Sequence, residues 1–347
     1  MYISDLLKNR DNNFNLLRIF FALFVIYVHS FDLLKQVDPI SGFLNKKLSI
    51  IGVEGFFIIS GFLIFYSFRR NFENKTILKY FVSRFLRIFP GLIFMVFFTG
   101  IFLGVFYSTL SLTEFFTHKH TIKYFIYNST LMKNIVYVLQ GVFENNPLRA
   151  VNGSLWTLPY ELLFYCLIPF IFFIVKTSKT RLALVLILLI SCNYFYFDLF
   201  VFVSKIFPFL PKYFYSLFLS FLVGVFYCLY KDNIKLKFSF FILSLIVFIL
   251  SIKVTFPLSE VISIFSFAYI VFYLSAVRLL NIRDYNKLGD YSYGLYIWAF
   301  PIQQLIIHHK LNINPYMLCF LSSFLTLLFA IASWKYIEKP ALKFVRK

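Results

Sequence analysis

The sequence predicts an all-α membrane protein, a polytopic transmembrane bundle of about ten helices. Hydrophobic residues make up 60% of its 347 residues, charged residues make up only 14%, and the mean hydropathy is +0.79. The apolar runs are about 17 to 23 residues long, which is the length a helix needs to cross the hydrocarbon layer. Composition and run length together exclude a soluble globular domain.

Ten apolar runs are long enough to be membrane spans. The chain before the first run is polar, and the run itself lacks the small-residue cleavage site of a signal peptide, so we expect the first helix in the mature protein. We also expect a single transmembrane domain over residues 1–347, without an appended soluble domain. The predicted spans lie near residues 16–34, 48–68, 88–107, 155–175, 182–203, 213–230, 238–254, 258–277, 291–307 and 315–337.

The basic residues predict the orientation of these spans. With the N-terminus inside, 23 of the 34 lysines and arginines fall on one side of the membrane and 11 on the other. The positive-inside rule then makes both termini cytoplasmic and places the longest connection, residues 108–154, outside. Topology also accounts for the net charge of +19, and the scattered basic residues predict no nucleic-acid partner. We expect contacts with an acceptor in the outer segment.

The first span carries two ionisable residues, Arg18 and His29, eleven positions apart. Eleven steps of about 100° bring both side chains to one helix face, about 16 Å apart. Ionisable groups at this depth usually face a bundle interior or a cavity, so we interpret this face as the wall of a site. The imidazole of His29 titrates near neutral pH and is a candidate base; the alternative is a hydrogen-bonded packing residue.

Two carboxylates lie in or next to predicted spans. Glu161 is about two turns into the fourth span, where an unpaired carboxylate is costly. We therefore expect a partner such as His29 or Arg18, or a protonated state. Glu54 opens the second span, and one alternative for it is a hydrated position at the outer interface.

Arg84 and Arg87 are part of a basic stretch that precedes the third span on its inner side. They are three residues apart and share one helix face, so together they suit a phosphate group. Insertion bias and anionic lipid explain such a cluster equally well.

The four cysteines form no recognisable metal or redox motif. They lack CxxC spacing, and no histidine or carboxylate pattern accompanies them. We expect free thiols and no metal. The residues are Cys166, Cys192, Cys228 and Cys319.

Taken together, these stretches resemble the acyltransferase-3 family, integral membrane enzymes that O-acylate glycans. Weak individually, the motifs occur in the family's order through most of the chain. Many members have histidine where this chain has Ala299, so the role of that histidine cannot be carried over. The motifs are a basic residue and a histidine separated by ten positions (Arg18, His29), FF-x-x-SGFL (56–63), RxxR (84–87), SLW-x-L-x-x-E-x-x-FY (154–165), SY-x-x-Y (292–296) and E-x-P (338–340).

The resemblance implies a donor, an acceptor and a location. The donor would be an acyl-coenzyme A, with acetyl-CoA expected, reached from the cytoplasm. The acceptor would be a sugar hydroxyl on the opposite side, in a glycan or its lipid-linked precursor. The AFPIQQ stretch looks like the branch that acts on surface polysaccharide, such as O-antigen or capsule. The protein would then be a multi-pass protein of the bacterial inner membrane, in contact with lipid.

The resemblance also implies roles for individual residues. His29 would deprotonate the acceptor hydroxyl or carry the acyl group transiently. Glu161 would position the imidazole and stabilise its cationic form, as the carboxylate of a catalytic triad does. The donor-binding set would be Arg18, Arg84, Arg87 and Tyr293.

Other functional classes remain open at this point. A glycan flippase or other transporter also needs a basic cavity, but it leaves the mass of the glycan unchanged. A glycan polymerase has a similar number of spans and a long outer loop, and its loss shortens the chains. A structural membrane partner would tolerate loss of the polar residues. No internal repeat is evident, which weakens the transporter interpretation.

Overall fold

The computed structural model describes residues 1–8, 12–176, 213–254, 258–277, 289–310 and 312–346. The regular structure in these residues is helical. They contain no strand, only two isolated bridges, between Tyr2 and Lys235 and between Ser108 and Val142. The all-α class predicted from the sequence is confirmed.

Thirteen α-helices lie within the described ranges. Two short 3₁₀-helices, Ile3–Leu7 and Gly153–Thr157, and a π-helical turn, Trp334–Glu338, complete the elements. The α-helices are α1 (Phe14–Asp32), α2 (Pro39–Leu44), α3 (Leu48–Glu73), α4 (Ile77–Tyr107), α5 (Leu112–Thr117), α6 (Lys119–Thr130), α7 (Leu158–Lys176), α8 (Phe214–Leu229), α9 (Phe238–Lys253), α10 (Ser259–Ala276), α11 (Ser292–His309), α12 (Pro315–Ser333) and α13 (Lys339–Arg346).

Within the described ranges, helices occupy the positions of nine of the ten predicted spans; the tenth, 182–203, lies outside them. Helix α8 and helix α9 are shorter, with 16 residues each. The number of crossings and the cytoplasmic placement of the termini stay predictions. Among the described residues, six helical segments are long and apolar enough to cross a membrane: Phe14–Asp32, Leu48–Glu73, Ile77–Tyr107, Gly153–Val175, Ser259–Ala276 and Pro315–Phe344.

The chain divides into two compact units. Unit 1 consists of Met1–Phe21, Ile40–Tyr80 and Tyr160–Gly289, and unit 2 of Ala22–Pro39, Phe81–Pro159 and Asp290–Lys347. Helices α1, α4 and α7 each supply residues to both units.

In unit 1, helices α3 and α8 pack with their backbones in close contact. A Cβ atom on Gly61 would lie 2.0 Å from the carbonyl oxygen of Phe221, and one on Gly224 would lie 2.2 Å from that of Ile58. Small residues permit this approach, which is how helices commonly associate in membranes. Gly61 of the second predicted span therefore serves close packing.

The N-terminal residues of unit 1 are fixed to its other helices by hydrogen bonds. The backbone N–H of Ile3 donates to Ile234 O at 3.2 Å. The side-chain amide of Asn13, just before α1, donates to Leu274 O at 3.1 Å and to Val277 O at 2.7 Å. These bonds satisfy carbonyls at the C-terminal end of α10 and fix the start of α1.

In unit 2, α11 is enclosed by other elements. Its residues from Ser292 to Gln304 are all buried. Helix α12 packs closely against it, because a Cβ atom on Gly294 would lie 2.7 Å from the Cα of Ala330. The Trp298 ring contacts aromatic rings of α4 and α12. Helix α11 is therefore the element on which the rest of unit 2 is arranged.

The connection predicted as the outer loop, 108–154, is partly helical and is fixed to α11. It contains α5 and α6. The side-chain amide of Asn146 donates to both the backbone oxygen and the side-chain oxygen of Gln304, at 3.0 and 2.9 Å. In return Gln304 donates to the carbonyl oxygens of Leu148, at 2.7 Å, and Ala150. The segment therefore lies at the C-terminal end of α11.

Candidate active site

Arg18 lies in unit 1, where it meets another of the sequence motifs. Its Nη2 atom is 3.5 Å from the hydroxyl of Ser60, which is buried at 4% exposure. Ser60 is the serine of the FF-x-x-SGFL stretch on α3. The basic residue of the first motif and the serine of the second therefore lie side by side.

Glu161 also lies in unit 1, one turn inside α7. The hydroxyl of Tyr165, four residues later on the same helix, donates a hydrogen bond to its Oε1. The carbonyl oxygen of Tyr165 in turn accepts a hydrogen bond from the hydroxyl of Tyr80 at 3.1 Å. The glutamate and the tyrosine of the E-x-x-FY motif thus bind each other.

His29 lies in unit 2, against α11. Its half-buried imidazole meets the ring of Phe300 edge to face, with the centroids 5.2 Å apart and the planes at 77°. One turn further along α11, the amide of Gln303 donates to Ile26 O at 2.9 Å and to the hydroxyl of Ser30 at 2.8 Å. These bonds join α1 to α11 on both sides of His29 in sequence, so they fix the histidine against α11.

The SLW motif contacts the same stretch of α11. The side-chain amide of Asn152 donates to Ile297 O at 2.8 Å, and the hydroxyls of Thr157 and Tyr296 are 2.8 Å apart. A Cβ atom on Gly153 would lie 2.5 Å from the ring of Phe300, the residue that also contacts His29. The first, fourth and fifth motifs of the sequence therefore meet on α11.

Arg87 lies at the opposite end of α11, in an ion-pair cluster. Its Nη2 is 2.5 Å from Asp290 Oδ2 and its Nη1 is 3.7 Å from Glu338 Oε2. The guanidinium lies 5.6 Å from the ring centroid of Tyr293, whose hydroxyl donates to Ile88 O at 2.8 Å. We call Arg87, Asp290, Tyr293 and Glu338 the Arg87 cluster.

Sequence reasoning did not foresee the two carboxylates of this cluster. Glu338 is only 1% exposed and also accepts a hydrogen bond from Ser333 Oγ at 2.9 Å. The available signals were the terminal E-x-P motif and an aspartate just before α11. Arg84, the other predicted phosphate ligand, is half-buried on α4, with its Nε 3.3 Å from the hydroxyl of Ser83.

Glu54 forms a second buried ion pair, in unit 1. Both of its carboxylate oxygens lie within 2.8 Å of Lys46 Nζ, and Oε1 accepts a hydrogen bond from Ser216 at 3.0 Å. Its side chain is 1% exposed. The alternative of a hydrated glutamate at the interface is wrong, because a lysine eight residues earlier turns back to pair with it.

The contacts of unit 2 follow α11 in order from one end to the other. The Arg87 cluster lies at Tyr293, the SLW motif at Tyr296, and His29 at Phe300. The rise of 1.5 Å per residue puts about 10 Å of helix between Tyr293 and Phe300. The three contacts therefore follow one another along one buried helix.

The described residues contain no group of three or more histidine, cysteine, aspartate or glutamate side chains placed to hold a metal ion. Three of the four cysteines are described, and they are free thiols: Cys166, Cys228 and Cys319. Cys192 lies outside the described residues.

In the described part of the chain, six helical segments are long and apolar enough to cross a membrane, and charged side chains are buried between the helices. These two features define an integral membrane protein with polar groups in its interior. The chain belongs to the acyltransferase-3 family, because the family's profile, described as an acyltransferase domain, matches residues 11–335. The resemblance stated from the motifs is confirmed, and the protein is a membrane acyltransferase.

Two relatives align over nearly the whole chain. Nodulation protein 10 of Rhizobium leguminosarum bv. viciae is 28% identical over 357 residues, which cover 96% of this chain and 93% of the relative. An O-acetyl transferase of Shigella phage Sf6 is 28% identical over 353 residues, which cover 96% of this chain and 97% of the relative. No solved structure matches the chain.

Proposed function

We propose that the protein is an O-acetyltransferase of the bacterial inner membrane. It transfers an acetyl group from cytoplasmic acetyl-CoA to a hydroxyl of a surface glycan or of its lipid-linked precursor. Membership of an acyltransferase family supports acyl transfer as the reaction. The phage relative named O-acetyl transferase supports acetyl as the group that is transferred. The asymmetry of basic residues supports a donor on the inside and an acceptor on the outside.

The observation that carries this proposal is the position of His29 along α11. The imidazole lies at Phe300, about 10 Å of helix from the Arg87 cluster at Tyr293. Polyanionic coenzyme A cannot enter hydrocarbon, so its phosphates stay at the membrane edge. Only the thin arm that ends in the thioester has to reach the histidine.

His29 serves the transfer by one of two routes. In the direct route the imidazole takes the proton of the acceptor hydroxyl, the oxygen attacks the thioester carbonyl, the C–S bond breaks, and the thiolate leaves and is protonated. In the covalent route an imidazole nitrogen attacks the carbonyl first and releases the thiol. The acceptor oxygen then displaces the imidazole from the acyl group.

The role proposed for Glu161 comes from the family resemblance: to position the imidazole and stabilise its cationic form in either route. Within unit 1, the hydrogen bond from the Tyr165 hydroxyl fixes one oxygen of this carboxylate. Ala299, in the middle of α11, stands where many family members have a histidine, so the acid–base work proposed here rests on His29 and not on that position.

The donor's phosphates bind Arg84 and Arg87, with Tyr293 beside them. The role proposed for Arg18, to orient the donor, comes from the family resemblance. Arg87 is already paired with Asp290 and Glu338. A guanidinium has five N–H donors, so a phosphate oxygen can bind it while a carboxylate is retained. The phosphates therefore share Arg87 with the two carboxylates.

Mass spectrometry of surface polysaccharide tests the proposal. We would compare cells that express the wild-type protein, His29→Ala or His120→Ala at matched membrane levels with cells that carry an empty vector. His120 is an exposed histidine of the 108–154 segment and serves as the matched control. We expect one additional acetyl group per repeat with the wild type and His120→Ala, and none with His29→Ala.

Each other outcome changes the proposal in a defined way. Acetylation that survives in His29→Ala makes His29 a packing residue but retains the enzyme. A change in chain length without a change in repeat mass indicates a polymerase. A change in the amount of surface glycan without acetylation indicates a flippase.

A further inference from the structure

A cavity of about 460 Å³ opens at the C-terminal end of α11, at the far end of the helix from the Arg87 cluster. It lies in unit 2, on the side where the 108–154 segment is bound to Gln304. Its volume is within the range of small-molecule sites. The cavity is lined by His308, His309, Lys310, Asn312, Ile313 and Met317.

The two histidines of this cavity are held by aromatic residues. The hydroxyl of Tyr107, at the end of α4, is 2.9 Å from His309 Nε2. The ring of His308 lies 5.2 Å from that of Tyr107, edge to face, and 5.8 Å from that of Phe143. Both imidazoles are therefore built into the wall of the cavity.

The lining chemistry selects a ligand that is anionic and has one apolar face. Lys310 is a cation and two histidines lie beside it, whereas none of the six lining residues is acidic. Ile313 and Met317 supply an apolar wall. A carboxylated sugar ring matches both features, because it combines a negative charge with the C–H face of a pyranose.

We propose that this cavity binds an anionic sugar unit, a uronic acid, of the acceptor glycan. The inference rests on the proposed function, which places the acceptor on this side of the membrane. From Phe300, where His29 lies, to His308 there is about 12 Å of helix. A charged unit held in the cavity would position a unit further along the same chain for acylation near His29.

Affinity for such a ligand should rise as the pH falls. Burial and the neighbouring His309 lower the pKa of His308 below its ordinary value of 6.5, so this imidazole is neutral at pH 7 and gains a positive charge on acidification. The ionisable groups that face it are Tyr107, His309 and Lys310. A uronate stays ionised down to about pH 4, so attraction strengthens as the pH falls below 6.5.

Saturation-transfer NMR on the purified full-length protein tests this site directly. The probes are glucuronate, methyl glucoside as the neutral sugar, and inorganic pyrophosphate as the anion of a lipid-linked precursor. We expect transfer to glucuronate, stronger at pH 5.5 than at pH 8, and little transfer to the glucoside. Lys310→Ala and His308→Ala should each weaken glucuronate binding by about three- to tenfold.

Two control variants separate the cavity from net charge. Lys310→Arg retains the positive charge and should retain most of the binding. Lys343→Ala removes an exposed lysine of α13, outside the segment expected to contact the acceptor, and should leave binding unchanged. Equal transfer to glucuronate and methyl glucoside, or no loss in Lys310→Ala, would overturn the proposal. Displacement of glucuronate by much lower concentrations of pyrophosphate would reassign the cavity to the lipid carrier.

Failure of the proposed function is distinguishable from failure of this site. If cells expressing the wild type acetylate no glycan but the purified protein binds glucuronate as described, the catalytic proposal fails and the site stands. If acetylation proceeds with the same acceptor KM in Lys310→Ala as in the wild type, the site is wrong and the enzyme stands. The inference predicts a higher acceptor KM in that variant, with the donor KM unchanged.

Discussion

Replacing Arg87 with alanine should destabilise the protein because it removes the positive charge from a buried cluster. Arg87 and Asp290 are 15% and 13% exposed at the side chain, and Glu338 is 1% exposed. The variant leaves two carboxylates without the guanidinium that pairs with both of them. Loss of activity in Arg87→Ala alone would therefore not demonstrate a phosphate contact.

The expected cost follows from the burial of these groups. Removing one partner of a buried ion pair costs about 3 to 5 kcal/mol, because the remaining charge is left in a poorly solvated place. Since Asp290 retains some contact with water, we expect about 3 kcal/mol. Neutralising the deeper carboxylate in Arg87→Ala/Glu338→Gln should recover a large part of this cost, because a neutral amide is far less expensive to bury.

Thermal unfolding of the purified protein in one detergent, followed by circular dichroism, measures the effect. The matched control is Arg69→Ala, which breaks an exposed i,i+4 pair with Glu73 in which both side chains are more than half exposed. Such pairs contribute about 0.5 kcal/mol or less. An unfolding temperature of Arg87→Ala equal to that of Arg69→Ala would refute the reasoning, as would a double variant no more stable than Arg87→Ala.

Two further substitutions test packing and hydrogen bonding by the same measurement. Gly61→Ala places a methyl group 2.0 Å from the backbone oxygen of Phe221 and should cost about 2 kcal/mol or more, whereas Gly42→Ala, with no atom within 4 Å, should be neutral. In a double-mutant cycle, Thr157→Val and Tyr296→Phe should couple by about 1 kcal/mol, because their hydroxyls share one buried hydrogen bond. Additive effects of that pair, or a stable Gly61→Ala, would contradict the geometry.

The helix positions were predictable because the bilayer imposes a length on every span. Apolar runs therefore marked α1, α3 and the later helices correctly, while their polar ends were harder to place. Helix α4 begins at Ile77, whereas the predicted span begins at 88. Hydropathy indicates only the part of a helix that contacts lipid. Helix α4 extends beyond that part because basic side chains such as Arg84 do not interrupt the backbone hydrogen bonds of the helix.

The partners of the buried charges were not predictable in the same way. Arg87 is separated by 203 residues from Asp290, and no periodicity in the sequence indicates which carboxylate meets which guanidinium. The pairing of Glu54 with Lys46 is different, because only eight residues separate them. The sequence shows a polar turn between α2 and α3 that contains Lys46. The direction in which the Lys46 side chain points, however, depends on how the helices pack.

The polar character of α11 follows from its enclosure. Its thirteen residues from Ser292 to Gln304 are all buried, and its amides bind side chains and carbonyls of other segments. A helix held on every side cannot rotate or slide as a lipid-facing helix can, so the spacing of groups along it is fixed by the helical rise. From Tyr293 to His308 that rise amounts to about 22 Å, less than the roughly 30 Å of a hydrocarbon core. On the proposed function, a donor bound at one end and an acceptor bound at the other are each about half that distance from His29. Because this stretch of helix is shorter than the apolar layer is thick, the charged groups at its ends have to be screened from lipid by the segments that enclose α11.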